Sequence, residues 1–434
     1  MPAPHTENRW RRLVEECFRR ETGPQAVIPN YDADLIETGV LDSMGWVSFL
    51  RALESASCAS DLGSLLTEQP ASLASVFHAL QNGQPAGSPS EMDLSTQKSS
   101  PVGAPVVIAA SSAVRGSRTI PSEEVDRAFG MEIGKLRRRA GIESLAYAAE
   151  GENELMLGAR AVQEALRAAG CGAQELDWII ATSETHRGYP SLAAQLHSQL
   201  LVRENCGALD VGGACLGLLH GLAVAQAFLA SGQARIIVVI TADVHSRTLT
   251  PSRVSGEFGG LFGDGASAFL LRTAAGDAPV PGYHLGEFLF GCAGQYAGAI
   301  RIGDAADGGF DVHFDGEALS RAAITRLEKI LATIELRSGI PLSSVSGFAT
   351  HQPNPRLVAL LAKQCNVPPE KFPPIARDAG NLGSSTCGTA LHAILQSASV
   401  QPGDQRKPIF LASLGPGLLF GGGWFVPSPD APDS

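Results

Sequence analysis

The sequence predicts two folded parts of different class: a small all-α bundle over residues 1–82 and a layered α/β domain from residue 106 onward. Three observations carry this. The first part holds apolar residues at helical spacing. Residues 83–105, inside NGQPAGSPSEMDLSTQKSSPVGAP, are rich in Ser, Pro and Gly and have no hydrophobic period, as expected of a flexible linker. Beyond them short apolar β runs alternate with helical stretches, the pattern of a mostly parallel sheet with helices on its faces.

In the bundle, Arg9 to Thr22 reads as a first helix, with Trp10, Leu13, Val14, Cys17 and Phe18 on one side. A loop containing Gly23, Pro24, Pro29 and Asn30 follows. Ser43 then stands immediately before a helix whose apolar face is Trp46, Val47, Phe49 and Leu50. Leu73 to Leu80 reads as the last helix, with Ser72 as its N-cap. The linker, treated as a coil, has an rms span on the order of 25 Å and gives the bundle a roughly millimolar effective concentration near the next part.

The α/β part opens with VVIAA and continues through WIIAT (178–182), GALDV, RIIVVITADV (235–244) and ASAFLL (266–271). YHLGEFLFG (283–291), SGFATHQ (346–352), PIFLASLG (408–415) and LFGGGWFV (419–426) complete the strand candidates. Helices are expected between most of them, including Glu317 to Ser338 and Pro355 to Cys365. The blocks 106–282 and 283–434 carry strands and helices in similar order, so a duplicated fold is expected.

The totals restrict function. The 434 residues are 44% hydrophobic and 18% charged, with a net charge of -11 and no basic block. That argues against nucleic acid or an anionic membrane surface as partner. The start, MPAPHTENRWRRLVEECFRR, has no signal-peptide core, and no run is long enough to span a membrane. Cysteines are scattered without a CxxC pair or a Cys/His cluster, which points to no metal site and to reduced thiols in a cytoplasmic protein.

Chemistry concentrates in CGALDVGGACLGLLHGLAVAQAFLASG (206–232). It reads as a strand, a small-residue turn and a buried helix that starts near Cys215 and is capped by Gly232. A thiol in the first turn of such a helix faces the positive end of its dipole, which favours nucleophilic thiolate. A buried cysteine packed as a small hydrophobe fits the same residues. Three other stretches place polar groups at junctions of apolar elements: His351 after SGFAT, Asn381 in DAGNLGSSTCGTALHAIL, and the glycine loop LASLGPGLLFGGGW.

Together these residues form a set. The region from Val106 to Val426 resembles the 3-oxoacyl-acyl carrier protein synthase III family of the thiolase-like fold. DVGGACLG around Cys215 is similar to its nucleophile turn; HQPNPR holds His351, Asn354 and Arg356; GNLGSS holds Asn381. FGDGASAFLL (262–271) and RRRAGI (137–142) match two further motifs. The resemblance implies duplicated α-β-α-β-α layers, a homodimer, and catalysis by Cys215, His351 and Asn381. The cysteine would accept an acyl group from an acyl-CoA or acyl-carrier thioester. His351 and Asn381 would then stabilise the enolate left when a malonyl-type thioester loses CO2. Arg356 would be a docking or pantetheine-side cation.

GVLDSMGWVSF in turn resembles the acyl carrier protein signature, in which Ser43 would carry 4'-phosphopantetheine added by a phosphopantetheinyl transferase. The acidic surroundings Asp32, Asp34, Glu37 and Asp42 suit that reading. Three positions depart from the synthase pattern. Lys135 replaces the tryptophan that helps hold the coenzyme A nucleotide, which makes a carrier-bound donor more attractive. Pro416 falls near an oxyanion-hole position and has no N–H to donate. Glu184, in ATSETHRGYP, reads either as a solvated loop carboxylate or as a base of the kind found in a related branch of the fold. Cys387 and His392 read as packing residues. Acyl transfer to a hydroxyl, amine or other carrier is the competing function. A cysteine hydrolase built on the elbow-like Gly213–Gly217 and a silent carrier holder leave more of the motifs unexplained.

Overall fold

The computed structural model describes residues 4–41, 43–57, 62, 71–82, 105–254, 256–273, 282–304, 310–314, 316–399 and 406–428. The expected linker falls almost wholly outside them. The chain divides into two units, Met1–Asp93 with Asp315–Ile324, and Leu94–Phe314 with Thr325–Ser434.

The first unit is built on helices α1 (Pro4–Thr22), α2 (Ser43–Ser57) and α3 (Leu73–Asn82). Each contributes one apolar stripe to a common core: Val14 and Phe18, then Trp46, Phe49, Leu50 and Leu53, then Leu73, Val76 and Leu80. Phe18 and Phe49 meet edge to face with centroids 6.0 Å apart. Ser72 caps α3, its Oγ accepting the Ser75 N–H at 3.2 Å. Asp34, one of the acidic residues near Ser43 in the sequence, is held by backbone donors. Its carboxylate accepts the N–H groups of Ile36, Glu37 and Ala71, which ties the loop before α2 to the start of α3. Burial raises its proton affinity, but the three N–H bonds outweigh it and hold the carboxyl below its usual range. Ser43 opens α2; its side chain and Asp42 lie outside the described residues.

The second unit contains strands β1 (Val106–Arg115), β2 (Arg118–Pro121), β3 (Ser144–Tyr147), β4 (Trp178–Thr182), β5 (Gly207–Asp210), β6 (Ile236–Val244) and β7 (Asp264–Thr273). Its helices over this half are α4 (Ser122–Ala128), α5 (Glu154–Ala169), α6 (Leu192–Gln199), α7 (Gly217–Ala230), α8 (His245–Thr248) and α9 (Glu257–Gly260). The second half adds β8 (Tyr283–Cys292), β9 (Ile300–Asp304), β10 (Phe310–Phe314), β11 (Gly347–Thr350), β12 (Ile409–Gly415) and β13 (Leu419–Pro427). Helices α10 (Gly316–Ser338, counted here from Thr325 onward), α11 (Pro355–Gln364), α12 (Ile375–Ala379) and α13 (Ser385–Ser399) complete it. Among the described residues no helix is long and apolar enough to cross a membrane.

Nine strands form one sheet in the order β11-β12-β13-β8-β1-β7-β6-β4-β5. The sheet is mixed, not mostly parallel. β4–β5, β4–β6 and β11–β12 are parallel, and the remaining pairs are antiparallel. The connections explain the difference. A parallel partner needs a crossover long enough to return along the sheet face. Between β6 and β7 the chain has only the one-turn helices α8 and α9, and β12 reaches β13 through the tight turn Pro416–Leu418.

The duplication is written in the strand order. Run β4-β6-β7-β1 has the same sequence of parallel, antiparallel and antiparallel pairings as run β11-β12-β13-β8. The runs meet where β1 pairs with β8 at Val107 and Ile108. Helices α7 and α13 touch strands of both halves and share one core with Ile180, Val239, Phe269, Ile409, Leu411 and Phe425. Helices α5 and α6 cover the other face of the first half, with Leu157, Val162 and Leu196 packed on Ile179 and Ile240. On the second half, Ile330 and Ile334 of α10 press on Gly422 of β13. Layers therefore alternate α-β-α-β-α, and the ends of β5, β11 and the loop before α13 open onto the central helical layer.

Candidate active site

Cys215 stands where β5 hands over to α7. A tight turn over Ala214–Leu216 leads into the helix, closed by a hydrogen bond from Leu216 N–H to the Gly213 carbonyl at 3.0 Å. Ala214 holds φ 49, a left-handed conformation that costs a residue with a Cβ on the order of 1 kcal/mol. The turn is pinned from β12: buried Ser413 donates its Oγ–H to the Cys215 carbonyl at 2.7 Å. Ala412, the preceding residue of that strand, accepts the His351 N–H at 3.1 Å. Two neighbours on one strand thus hold the cysteine turn and the histidine.

His351 directly follows β11 and is buried. The chain after it is fixed at both ends. Gln352 donates to the Pro373 carbonyl at 2.7 Å and accepts the Ala376 N–H at 3.2 Å. Asn354 caps α11 by accepting the Leu357 N–H at 2.9 Å, with Pro355 in the first turn. The imidazole Nδ1 is buried and has no hydrogen-bond partner among the described residues. Nε2 is therefore the ring nitrogen left to meet a ligand.

Asn381 is held by its backbone, whose N–H reaches the Leu261 carbonyl at 2.8 Å and whose carbonyl accepts the Gly263 N–H at 2.9 Å. The FGDGA motif is therefore a support for the asparagine loop. Two donors, the Gly383 N–H at 3.0 Å and Thr386 Oγ1 at 3.1 Å, converge on one atom of the side-chain amide. That atom is the oxygen, so the amide NH2 is the group left to donate elsewhere.

Glu184 lies two residues past β4, in a buried cluster rather than in solvent. Its N–H donates to Asp243 Oδ1 at 2.5 Å, and its Oε2 is 3.4 Å from His245 Nε2. Its carboxyl lies beside the Cys215 thiol and within electrostatic reach of His351. Asp243 Oδ2 accepts the Ser384 N–H and hydroxyl at 2.9 and 2.6 Å, while the His245 ring stacks on Phe262 with centroids 4.6 Å apart. Gly383 fits only because it lacks a side chain. Its φ is 58, and a Cβ would come within 2.4 Å of His245 Cε1 and 2.9 Å of Asp243 Oδ2.

The cluster reverses the electrostatics expected of the cysteine. Burial pushes the Cys215 thiol well above its ordinary range, and the charges of Glu184 and Asp243 push it further. The resting group is a thiol, because burial, with the charges of Glu184 and Asp243 added to it, outweighs the helix end. Burial draws His351 down to about 4, against the pull of Glu184, so it is neutral near pH 7. Burial also lowers His245, but the Glu184 bond and the charges of Asp243 and Glu184 prevail and raise it to about 9. Glu184 responds in kind: burial raises it, and the His245 bond and charge bring it below its usual value. Burial and then Glu184 push Asp243 up to about 6.

Pro416 opens the turn joining β12 to β13, and the preceding Gly415 lies so close to the nucleophile turn that a Cβ on it would meet the Gly213 carbonyl at 2.8 Å. A cavity of about 530 Å³ is lined by Gly130, Met131, Glu132, Lys135, Arg138, Arg139 and Gly256. Arg356 reaches the edge of that segment, donating to the Arg138 carbonyl. Cys387 packs against the Ala349 carbonyl at 3.2 Å, and His392 Nδ1 is 2.9 Å from Ser111 Oγ. Among the described residues no cluster of His, Cys, Asp and Glu could hold a metal ion. Sequence reasoning missed Ser413, Asp243, His245 and Ser384. The signal available was the polar pair inside the apolar run IIVVITADVH.

The chain is similar to known proteins in sequence and in fold. Residues 209–287 match the family model for 3-oxoacyl-[acyl-carrier-protein] synthase III, and residues 336–425 match its C-terminal counterpart. A β-ketoacyl-[acyl-carrier-protein] synthase III of Ruegeria sp. is 30% identical over 311 residues, covering 70% of this chain and 93% of that protein. One from Streptomyces coelicolor is 30% identical over 319 residues, covering 70% and 92%. The 3-oxoacyl-[acyl-carrier-protein] synthase III of Aquifex aeolicus superposes with a TM-score of 0.65 at 23% identity, covering 74% of this chain and 99% of its own. OleA of Xanthomonas campestris does so at 0.67 and 21%, covering 76% and 99%.

Proposed function

Because the chain belongs to the 3-oxoacyl-[acyl-carrier-protein] synthase III family, we propose that it acylates itself on Cys215 from an acyl thioester and condenses that group with a malonyl-type thioester. In the first half-reaction the Cys215 sulfur attacks the thioester carbonyl, and the donor thiol leaves. In the second, the malonyl-type thioester carbonyl accepts hydrogen bonds from His351 Nε2–H and the Asn381 amide. Loss of CO2 then puts negative charge on that oxygen, where preorganised donors are worth most. The resulting enolate carbon attacks the acyl-cysteine, and the β-ketoacyl product leaves with the sulfur of Cys215 restored.

The orientation of the Asn381 amide is the observation that carries this reading. Both lone-pair directions of its oxygen are occupied by Gly383 and Thr386, so the side chain can act only as a donor. A neutral His351 supplies a second uncharged donor. The basic residues Lys135, Arg138 and Arg139 around the cavity suit the phosphate end of a pantetheine-bearing substrate.

Residues 1–82 are read as a fused acyl carrier with 4'-phosphopantetheine on Ser43, serving a specialised fatty acid or polyketide-type pathway. Ser43 is the first residue of a 15-residue helix, so a phosphodiester attached there would lie at the positive end of the helix dipole. The arm would present an acyl thiol, and a separate transferase would install it.

One experiment tests both parts. The chain is co-expressed with a broad phosphopantetheinyl transferase, and intact mass is recorded after adding acyl thioesters with and without malonyl-CoA. Expected are a phosphopantetheine lost in Ser43→Ala, an acyl adduct lost in Cys215→Ala, and CO2 release only with both substrates. Acyl transfer without CO2 overturns the condensation, and no mass gain at Ser43 overturns the carrier.

A further inference from the structure

We propose that Glu184 takes the proton of the Cys215 thiol as the sulfur attacks, and that His245 is the positioning residue that keeps Glu184 ionised for this. The inference rests on Cys215 being the acylated nucleophile. A nucleophile buried beside carboxylates is protonated at rest, so its proton must go somewhere when the acyl bond forms. His351, the nearby imidazole, is drawn too low to be an effective base at neutral pH. Glu184 lies within hydrogen-bond reach of the thiol, and among the described residues no N–H or O–H group donates to its buried Oε1. Its Oε2 faces His245 Nε2 at 3.4 Å, and its backbone is held to Asp243 at 2.5 Å.

Among the described residues Glu184, from the segment after β4, and Asp243, from β6, act on the thiol, while His245 from α8 and His351 after β11 act on Glu184. Asp264 acts on His245 from β7. The step balances. The S–H proton passes to the Glu184 carboxylate as sulfur bonds to the acyl carbon. The substrate C–S bond breaks, and the departing thiolate takes the proton back from the neutral Glu184. One thioester replaces another, and the carboxylate is restored.

Two readouts of Cys215 move in opposite directions if this is right. In Glu184→Gln the neutral amide no longer disfavours thiolate, so alkylation by iodoacetamide at pH 7.5 becomes faster. Acylation by acetyl-CoA or octanoyl-CoA, followed by intact mass, becomes about 10²-fold slower because the proton acceptor is gone. Glu184→Asp restores part of the acylation, and His245→Asn lowers it less than Glu184→Gln does. If alkylation and acylation both accelerate in Glu184→Gln, the carboxylate merely restrains the thiol and the proposal is wrong; no change in either overturns it as well. The unmodified protein gives a test free of folding defects. Acylation slows in D2O if a proton moves with the attack, and an equal or faster rate in D2O refutes it. Acylation persisting in Cys215→Ala sinks the nucleophile assignment itself, which separates that failure from a failure of Glu184.

Discussion

Replacing Asn381 with aspartate isolates one hydrogen bond. The two oxygens of an aspartate occupy the places of the amide oxygen and nitrogen, so the bonds from Gly383 and Thr386 are kept and the loop is undisturbed. What changes is the outward group, from an NH2 donor to an acceptor. Losing one donor of such a hole costs roughly 10²–10³ in rate, about 2.7–4 kcal/mol of transition-state stabilisation. Asn381 is only 4% exposed, so burial raises the proton affinity of the new carboxyl, as it does at Asp243. Once protonated, the acid donates again. The ratio of CO2 release to Cys215 acylation should therefore fall about 10²-fold or more at pH 8 and recover partly as pH is lowered toward 6. CO2 release from carboxyl-labelled malonyl-CoA and intact-mass acylation, measured on the same preparation, give that ratio. A ratio equal to the parent's at pH 8 would show that Asn381 is not a donor to the enolate.

Ser413→Ala leaves the buried Cys215 carbonyl without its 2.7 Å donor, so unfolding in urea should show a loss of about 1–3 kcal/mol along with slower acylation. Gly383→Ala forces a left-handed backbone and a Cβ against His245 at 2.4 Å; a loss of more than about 1 kcal/mol is expected, and stability equal to the parent's would contradict the packing. The two histidines give stability opposite pH signs. His351, lowered to about 4, contributes stability above pH 6.5 that is lost as pH falls from 6.5 to 4. His245, raised to about 9, contributes stability below pH 6.5 that is lost as pH rises from 6.5 to 9. Each shift corresponds to roughly 3 kcal/mol. His351→Gln should flatten the acid side of the stability profile and His245→Gln the alkaline side.

Much of this architecture was legible in the sequence for a local reason. Cys215, His351 and Asn381 each lie in a short stretch whose small residues, strand end or helix start mark the place, and the strand runs beyond Val106 are apolar enough to stand out. The mixed sheet was not legible, because strand direction depends on how far each connection travels. Nor was the protonation of Cys215. A helix start is visible in a local pattern, whereas Glu184, Asp243 and His245 reach the thiol from separate strands. Ser413 was hidden for the same reason: in LASLG it is one hydroxyl in an apolar strand, and its partner lies 198 residues away.

The repeated strand order has a consequence for how this chemistry could arise. β4 and β11 are counterparts in the two halves, and Glu184 and His351 follow them within two residues. Thr182 and Thr350 close these strands at the same place in their pairing with β6 and β12, so a gene doubled from one ancestral half would match His351 with Ser183 and Glu184 with Gln352. The carboxylate and the imidazole thus occupy adjacent, not equivalent, positions of the repeat, and each half supplies its own group to one site.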